Sequence, residues 1–311
     1  MKTRIGILGL GGVGGYFGGL LAKAYSQSNT IEIVFIARGK TQEIVAKSGL
    51  KLITDNDETY VFPTVVSNDP EVIGKLDYLI CATKTYDIEE SLLSYKKCIT
   101  KNTIFLPLYN GVDAPERISA IFPDNEVLQG CVYIVALIES PGVIKKVGPF
   151  EKLFFGSHSV SISKLKALQT IFENAGIQST LVDQIEETVW EKFIFISSLA
   201  SATSYLNQNI GEIIGSNTSR AVFVNLLQEI TMLAAVKGLE LPNDITMKTI
   251  QKLEKMPHEA TSSMHRDVIA GHKFELESLT AFVVNEGLKY EVDMPTYQKV
   301  LDALALKMPS E

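Results

Sequence analysis

The sequence predicts an α/β domain with a parallel sheet, followed by a mainly α-helical domain. Short runs that are apolar throughout recur in the first half of the chain, which is typical of parallel strands covered on both faces. A glycine-rich turn lies between the first such run, residues 4–8, and a helical pattern over residues 13–25. Beyond Asp183 the pattern changes to long helical segments with few strand candidates.

The elements of the first domain are predicted from apolar runs bounded by turn residues. Strands of the parallel sheet are expected at residues 4–8, 31–37, 78–83 and 103–108. Further strands are expected within residues 49–66, 127–156 and 178–182, and a helix at residues 163–174. The region 49–66 turns at Asp55-Asn56-Asp57, and the region 127–156 is broken at Pro141-Gly142 and Gly148-Pro149.

The second domain is predicted to be built from long helices. They are expected over residues 186–206, 219–237, 243–255 and 275–289. A chain of 311 residues exceeds the ~250 to 300 residues that one hydrophobic core usually supports, so two domains are expected. We place the boundary so that the domains comprise residues 1–184 and 185–311.

Composition restricts the class of partner. A net charge of −7 argues against nucleic-acid binding, which depends on clustered Lys and Arg. No uninterrupted apolar run approaches the ~18 to 20 residues that span a bilayer, so we expect neither export nor a membrane partner. The cysteines form no CxxC pair, which favours a reducing cytoplasm, and the histidines show no metal-binding spacing, so no metal is expected. These residues are Cys81, Cys98, Cys131, His158, His258, His265 and His272.

A GxGxxG motif follows the first predicted strand and begins the first predicted helix. It consists of Gly9, Leu10, Gly11, Gly12, Val13 and Gly14. In this context Gly9 permits a tight turn, Gly11 lets a phosphate approach the backbone, and Gly14 lets the helix pack on the strand. The motif therefore predicts a Rossmann-type dinucleotide site at a helix N-terminus. The alternative is a glycine-rich turn without a ligand.

The end of the second strand indicates which dinucleotide is bound. NAD enzymes usually place a carboxylate there for the ribose hydroxyls, whereas this chain has Arg38. A guanidinium group suits a 2′-phosphate, so we predict NADP (as NADPH) and not NAD. The alternative is a solvated surface arginine.

Candidate catalytic residues follow later strands and line the helical half. Lys84 and Asn110 follow two further predicted strands, at the sheet edge where open α/β folds bind ligands. Lys192 begins an apolar helix, where desolvation favours general acid chemistry. Ser263 and Glu275 offer polar groups to a substrate or cofactor. Each candidate has an alternative without a ligand. Lys84 is then a solvated lysine, and Asn110 belongs to an Asn-Gly turn. Lys192 is a snorkelling lysine, Ser263 caps a helix, and Glu275 is an exposed carboxylate.

These blocks, in this order, resemble the ketopantoate reductase (2-dehydropantoate 2-reductase) family over nearly the whole chain. The resemblance is carried by the glycine motif, Ala37-Arg38, Thr83-Lys84, Asn110-Gly111, Trp190-Glu191-Lys192, Gly211-Glu212, Ser262-Ser263-Met264, Asp267 and Glu275. It implies NADPH-dependent reduction of ketopantoate to pantoate, a step of pantothenate and coenzyme A biosynthesis. It also implies that the partner is a small 2-oxo acid.

The resemblance also implies a role for each matched residue. Lys192 matches the proton donor, and Glu275 matches a residue that binds and orients the ligands. Lys84 and Asn110 match residues beside the nicotinamide and the substrate, and Ser263 matches a residue that contacts the substrate. Lys84, Asn110, Glu275 and Lys192 are therefore the catalytic candidates, and the first three are also expected to bind the cofactor.

The chain departs from the family at positions that commonly carry asparagine. Ile196, Ala200 and Ile210 occupy these positions, which leaves a reductase of a different 2-oxo acid as an alternative, since pockets select through buried polar groups. Compensating polar groups are available at Ser197, Ser198, Ser201 or Asn209. An NADP-binding sensor without catalysis is a further alternative, and a homodimer is left open.

Overall fold

The structure is a computed structural model that describes residues 2–55 and 57–309, and the chain divides into two compact units. The first unit comprises Met1–Tyr109 and Ala114–Ile185, and the second comprises Asn110–Asp113 and Glu186–Glu311. The sequence placed the division after residue 184, whereas the units divide after Ile185 and the short segment Asn110–Asp113 belongs with the helical unit.

The first unit contains the predicted parallel sheet. Its strands are β1 (Thr3–Leu8), β2 (Ile31–Ile36), β5 (Val65–Ser67), β6 (Tyr78–Cys81) and β7 (Ile104–Pro107). They lie in the order β5-β2-β1-β6-β7, and every neighbouring pair is parallel. β1, β2, β6 and β7 are mostly buried because hydrophobic clusters cover both faces of the sheet, whereas two of the three residues of the edge strand β5 are half-buried. The predicted α/β class is thus confirmed.

A second sheet in the same unit contains the other strands. These are β3 (Leu50–Ile53), β4 (Glu58–Val61), β8 (Gln129–Ser140), β9 (Val143–Gly156) and β10 (Ser179–Leu181). β8 and β9 form a long antiparallel hairpin that turns at Pro141-Gly142. The break predicted at Gly148-Pro149 is wrong, since β9 continues through it with a shift of register. Asn56, in the turn predicted between β3 and β4, lies outside the described residues.

Helices of the first unit pack around these sheets. They are α1 (Gly12–Tyr25), α2 (Gly39–Ser48), α3 (Pro70–Ile73), α4 (Ile88–Ser94), α5 (Ala114–Ile121) and α6 (Ile162–Asn174). α1 lies between the two sheets, and Gly12, Gly15 and Gly19 form the side that faces the second sheet. A Cβ at Gly12 would lie 2.1 Å from Ala136 O, so this helix approaches β8 as closely as only glycine allows.

The second unit is helical, as predicted. Its helices are α7 (Ile185–Leu206), α8 (Ile210–Gly215), α9 (Asn217–Val236), α10 (Ile245–Glu254), α11 (Ser263–Ile269), α12 (Phe282–Lys289) and α13 (Pro295–Ala305). A π-helical segment, Glu277–Ala281, leads directly into α12. One hydrophobic core cluster lies entirely within this unit, so the unit has a core of its own.

In the described part of the chain, α9 alone is long and apolar enough to cross a membrane by length and composition. Its Phe223, Ile230 and Leu233 are buried in the core of the second unit. The buried Glu229 carboxylate accepts hydrogen bonds from the backbone N–H groups of Thr296 and Tyr297, at 2.8 and 3.0 Å. These contacts satisfy donors at the N-terminus of α13, so α9 is packed as a core helix.

Candidate active site

The glycine motif lies where β1 ends, at the carboxyl edge of the parallel sheet. Gly9 has a φ of +93°, which favours glycine, and its amide donates to Ile36 O at 3.4 Å. Gly11 is the N-cap of α1, and Gly15 N donates to Gly11 O at 2.8 Å. The order of the strands reverses between β1 and β6, which is where open α/β sheets bind ligands.

Two glycines of the motif, Gly14 and Gly11, face different surroundings. A Cβ at Gly14 would lie 2.1 Å from Gly9 O, so glycine is needed there for α1 to pack on the end of β1. A Cβ at Gly11 would meet only one backbone oxygen, at 3.9 Å, so the space beside Gly11 is open. The first amides of an α-helix have no helical acceptor, and its N-terminus favours negative charge. The loop therefore fits a diphosphate, as the motif predicts.

Arg38 lies just beyond the end of β2, beside the glycine loop. It is the N-cap of α2, its backbone is extended, and its side chain is exposed. Among the described residues, the guanidinium has neither a hydrogen bond nor an ion pair. A cation in that situation can accept an anionic ligand without breaking an existing contact.

Lys84 lies in the loop after β6. It is half-buried and precedes a short 3-10 turn, Thr85–Asp87, in which Asp87 N donates to Lys84 O at 3.0 Å. The neighbouring Thr83 hydroxyl lies 3.1 Å from the hydroxyl of Tyr109, which follows β7. Burial raises the pKa of Tyr109, so this phenol stays protonated and ties the ends of the two strands together.

Lys192 and Asn110 are brought together within the second unit. Lys192 lies in the second turn of α7 with 7% of its surface exposed, and its Nζ donates to Asn110 Oδ1 at 2.9 Å. The next residue, Gly111, has a φ of +153°, and a Cβ there would lie 3.4 Å from Ser278 Cβ. A side chain at this position would therefore be strained and crowded, so glycine lets the Asn110 segment pack against the π-helical segment.

Glu275 and Ser263 come from two other elements of the same unit. Glu275 is buried, and its carbonyl accepts from Leu279 N at 3.1 Å as the chain enters the π-helical segment. Ser263 is half-buried at the first position of α11. The cap of α11 is Ser262, whose hydroxyl accepts from His265 N at 3.0 Å. Helix capping, the alternative role considered for Ser263, is thus performed by its neighbour Ser262.

The candidate residues are therefore distributed over the two units. The glycine loop, Arg38 and Lys84 belong to the first unit. Asn110, Lys192, Ser263 and Glu275 belong to the second, and the first two of these are in direct contact.

Comparison with known proteins assigns the family. A profile described as ketopantoate reductase PanE/ApbA matches residues 5–159, and the profile of its C-terminal domain matches residues 184–308. This chain belongs to the ketopantoate reductase family. The predicted resemblance is confirmed, and the protein is an oxidoreductase of this family.

Relatives of this ketopantoate reductase family member cover nearly its full length. The crystal structure of 2-dehydropantoate 2-reductase from Porphyromonas gingivalis is 32% identical with a TM-score of 0.84, and the match covers 98% of this chain and 100% of that chain. The uncharacterized oxidoreductase YkpB of Bacillus subtilis is 24% identical over 94% of this chain and 95% of that protein. D-mandelate dehydrogenase, solved with NADH and anilino(oxo)acetate, is 22% identical over 98% of each chain with a TM-score of 0.86, which shows a shared fold.

The positions that commonly carry asparagine in ketopantoate reductases are apolar here. Ala200 and Ile210 are buried in the core of the second unit, with 1% and 0% of their surfaces exposed. Ile196 is half-buried on α7, one turn after Lys192. None of the three side chains can form the hydrogen bonds that an asparagine would supply.

The polar residues considered as replacements are occupied within the protein. Ser197 Oγ donates to Leu279 O at 2.6 Å and lies 2.7 Å from the Tyr297 hydroxyl. Ser201 Oγ lies 2.9 Å from the Thr280 hydroxyl, and all of these groups are fully buried. The Ser198 hydroxyl lies 3.3 Å from the Tyr297 hydroxyl. Asn209 caps α8, where its side chain accepts from Glu212 N at 2.9 Å.

The hydroxyl network was not found from the sequence. Its function is to hold the π-helical segment that follows Glu275, because a π-turn leaves backbone groups without their usual α-helical geometry and Ser197 binds one of these carbonyls. The signal in the sequence is the spacing of Ser197 and Ser201, four residues apart on one side of an apolar helix. That spacing identifies a polar contact with another element but does not say which one.

Proposed function

We propose that this oxidoreductase uses NADPH to reduce the keto group of a 2-oxo acid to a 2-hydroxy acid. The observation that carries the proposal is the buried pair of Lys192 and Asn110, because it directs an ammonium group that can neutralise an alkoxide. Family membership favours ketopantoate as the substrate and pantoate as the product, a step of pantothenate and coenzyme A biosynthesis.

The cofactor assignment rests on the first unit. The diphosphate of NADPH is expected at Gly11 and the N-terminus of α1, where a Cβ is absent and helical amides are directed outward. Arg38 is expected to bind the 2′-phosphate in a fork of N–H donors. When bound, NADPH would supply the hydride for the keto carbon, and NADP⁺ would be the second product.

The proton chemistry is assigned to the second unit. As hydride adds to the keto carbon, the electrons of the carbonyl π bond move onto oxygen. The Lys192 ammonium donates a hydrogen bond to that oxygen and then transfers a proton to it, which completes the hydroxyl group. Asn110 accepts another N–H of the same ammonium and so fixes its direction. Lys84, Ser263 and Glu275 are assigned to binding and orientation of the ligands.

Lys192→Ala tests the proposal. We expect kcat to fall by about 10²- to 10⁴-fold, the usual contribution of general acid catalysis, while the Kd for NADPH changes little. Lys248→Ala is the matched control, because Lys248 is a lysine of the same unit whose side chain is 58% exposed. Steady-state assays and fluorescence titration of NADPH give the two quantities. Unaltered turnover in Lys192→Ala would remove Lys192 from the mechanism.

A second candidate function is the reduction of a 2-oxo acid other than ketopantoate. The apolar residues at positions 196, 200 and 210 favour it, since these side chains cannot bind the polar groups of the usual family substrate. A small-molecule partner is common to both candidates. A homodimer and a cytoplasmic location stay predictions.

A further inference from the structure

The two residues of the proposed proton-donating pair come from distant parts of the chain, and one short element contacts both parts. Lys192 lies on α7, whereas Asn110 begins the segment Asn110–Asp113 that belongs to the second unit. The π-helical segment, Glu277–Ala281, packs against this segment and is hydrogen-bonded to α7. The position of the π-helical segment therefore bears on how the ammonium group and the amide meet.

The contact with the Asn110 segment is made through Gly111. A Cβ at Gly111 would lie 3.4 Å from Ser278 Cβ and 3.8 Å from Ser278 O, so the two backbones approach closely. Ser278 has 1% of its surface exposed, and Val112, the next residue, packs against the hydrophobic core of the second unit. Because packed interiors transmit strain, a displacement of Ser278 would move the backbone that carries Asn110.

The contact with α7 is made through a hydrogen bond and through aromatic rings. Ser197 Oγ donates to Leu279 O at 2.6 Å. Phe282, which directly follows the π-helical segment, packs on Trp190 and Phe193, and its ring centroid lies 6.3 and 5.7 Å from theirs. These two rings lie on either side of the proposed proton donor in the sequence. The π-helical segment is thus joined to the turn of α7 that carries the lysine and to the turn after it.

The Ser197 hydroxyl is itself oriented by Tyr297 on α13. Ser197 has a single hydroxyl proton, which it donates to Leu279 O because a carbonyl can only accept. In the 2.7 Å bond between the two hydroxyls, Tyr297 is therefore the donor. Both side chains are fully buried, and burial raises the pKa of Tyr297, so the phenol keeps the proton that it donates.

We infer that Ser197 is a positioning residue that keeps Asn110 and Lys192 in the geometry needed for proton transfer. The inference rests on the proposed function, which assigns the proton to Lys192. Because the Ser197 hydroxyl is fully buried and bonded, it acts through the π-helical segment and not by contact with a ligand. Without it, that segment loses a hydrogen bond to α7 and can shift against the helix. Misplacement of reacting groups by about 1 Å can lower a rate about 100-fold.

Ser197→Ala is the direct test. We expect kcat to fall about 10- to 100-fold with little change in KM, because the position of the proton donor matters most in the transition state. The assay uses NADPH and whichever of ketopantoate, 3-methyl-2-oxobutanoate and phenylglyoxylate the wild type reduces fastest. Tyr297→Phe, which removes only the donor to Ser197, should lower kcat by a smaller factor. Unaltered kcat in soluble, NADPH-binding Ser197→Ala would overturn the inference.

Thr103→Val is the matched control for the loss of a buried hydroxyl. Thr103 is fully buried in the first unit, and its hydroxyl donates to Leu76 O, also at 2.6 Å. We expect this variant to lose stability as Ser197→Ala does but to keep the kcat of the wild type. A fall in kcat equal to that of Ser197→Ala would show a general effect of destabilisation and would contradict the inference.

A double-mutant cycle tests whether Ser197 acts through the catalytic pair. Asn110→Ala removes the group that directs the Lys192 ammonium, so adding Ser197→Ala to it should lower kcat by only about twofold more. Independent sites would instead give the product of the two single effects. A product of this kind would show that Ser197 does not act through Asn110 and would overturn the inference.

Hydrogen exchange tests the structural link without a substrate. In Ser197→Ala, the amides of residues 110–113 and 277–281 should exchange about tenfold faster or more, since loss of a buried hydrogen bond favours local opening. Thr103→Val should leave both segments unchanged. Unchanged exchange at residues 110–113 in Ser197→Ala would overturn the inference, even with a lowered kcat.

The same assays separate failure of the inference from failure of the proposed function. If the wild type reduces one of the three acids and Ser197→Ala does so with the same kcat, the proposed function stands and the inference is wrong. If the wild type binds NADPH but oxidises it with none of the three acids, the proposed function fails and the inference falls with it.

Discussion

An arginine at the end of β2 stands where a carboxylate would bind the ribose of NAD. Arg38 is exposed and, within the described residues, makes no hydrogen bond or ion pair, so the fold does not explain its presence there. A 2′-phosphate would form charge-assisted hydrogen bonds with its guanidinium, and each such bond contributes about 1.5 to 3 kcal/mol. We therefore assign the proposed preference for NADPH to this one side chain.

Arg38→Ala is expected to weaken NADPH binding by about 10- to 100-fold and to leave NADH binding almost unchanged. Its stability should match that of the wild type, because within the described residues the exposed side chain makes no hydrogen bond or ion pair that supports the fold. Isothermal titration with each cofactor measures the effect, and Lys47→Ala, which removes another exposed cation of α2, is the control. Equal losses for both cofactors would show that Arg38 does not bind the 2′-phosphate.

A buried histidine makes stability depend on pH. His265 Nδ1 lies 2.6 Å from the hydroxyl of Thr261, and its Nε2 lies 3.0 Å from Asn207 Oδ1. Asn207 Oδ1 can only accept, so the neutral ring donates through Nε2 and accepts through Nδ1. Burial lowers the pKa of His265 below its usual value of 6.5, and the nearby charges of Lys307 and Arg266 lower it further, against the opposing effect of Glu212.

The direction of the pH effect follows from that lowered pKa. Below pH 6.5 the unfolded chain binds a proton at His265 more readily than the folded chain, so the free energy of unfolding should fall as the pH decreases from about 7 towards 5. Urea unfolding across this range measures the slope. His265→Gln should cost about 1 to 3 kcal/mol at pH 7.5, because buried hydrogen bonds are lost, and should reduce the slope. A slope as steep as that of the wild type would place the titrating group elsewhere.

At the scale of elements, α1 combines two uses of glycine. Gly14 and Gly12 are required for packing, because a Cβ at either would lie 2.1 Å from a backbone oxygen. Gly11 is not required for packing, since a Cβ there would be in ordinary contact with a single atom. The motif residues therefore divide into those that let the helix pack between the sheets and one that leaves room for the ligand.

Two matched variants separate these uses. Gly11→Ala is expected to keep the free energy of unfolding within about 1 kcal/mol of the wild type but to weaken NADPH binding by tenfold or more, because the methyl group occupies the place of a phosphate oxygen. Gly14→Ala is expected to lose about 1 to 3 kcal/mol of stability through overpacking. Urea unfolding and cofactor titration of both variants provide the comparison. A strongly destabilised Gly11→Ala would assign Gly11 to packing as well.

The local sequence pattern was sufficient to predict most strands of the parallel sheet but not to predict several of the helices. Wholly apolar runs identified β1, β2, β6 and β7 because both faces of this sheet are covered. The short helices α8 and α11 were missed, since 6 and 7 residues give too little periodicity, and α13 was missed as well. A single helix was predicted over residues 275–289, where a π-helical segment precedes α12, because the bond from Ser197 that supports the segment comes from 82 residues away.

The candidate site was predictable as a set of residues but not as an arrangement. Asn110 was predicted as a site residue because it follows a strand, and Lys192 because it begins an apolar helix. Their hydrogen bond spans 82 residues, and nothing local to either residue specifies it. The sequence also did not predict that Asn110–Asp113 belongs to the helical unit, because the segment directly follows a strand of the first unit.

At the scale of the whole molecule, each unit has its own hydrophobic core. Two clusters, one on each face of the parallel sheet, lie in the first unit, and a third lies in the second unit. Units with separate cores can unfold in separate transitions. A ligand stabilises the unit that binds it by RT ln(1 + [L]/Kd), which is about 2.7 kcal/mol at a ligand concentration of 100 Kd.

Calorimetry with NADP⁺ at about 100 Kd therefore tests the assignment of the cofactor to the first unit. If the wild type shows two transitions, NADP⁺ should raise the Tm of one by several degrees and shift the other less. Gly11→Ala should abolish this shift at the same NADP⁺ concentration, whereas Lys192→Ala should retain it, because Lys192 lies in the second unit and is assigned to the substrate. If the two units unfold together, the single Tm should follow the same order among the variants. Loss of the shift in Lys192→Ala, with Gly11→Ala responding normally, would mean that the cofactor depends on the helical unit and not on the glycine loop.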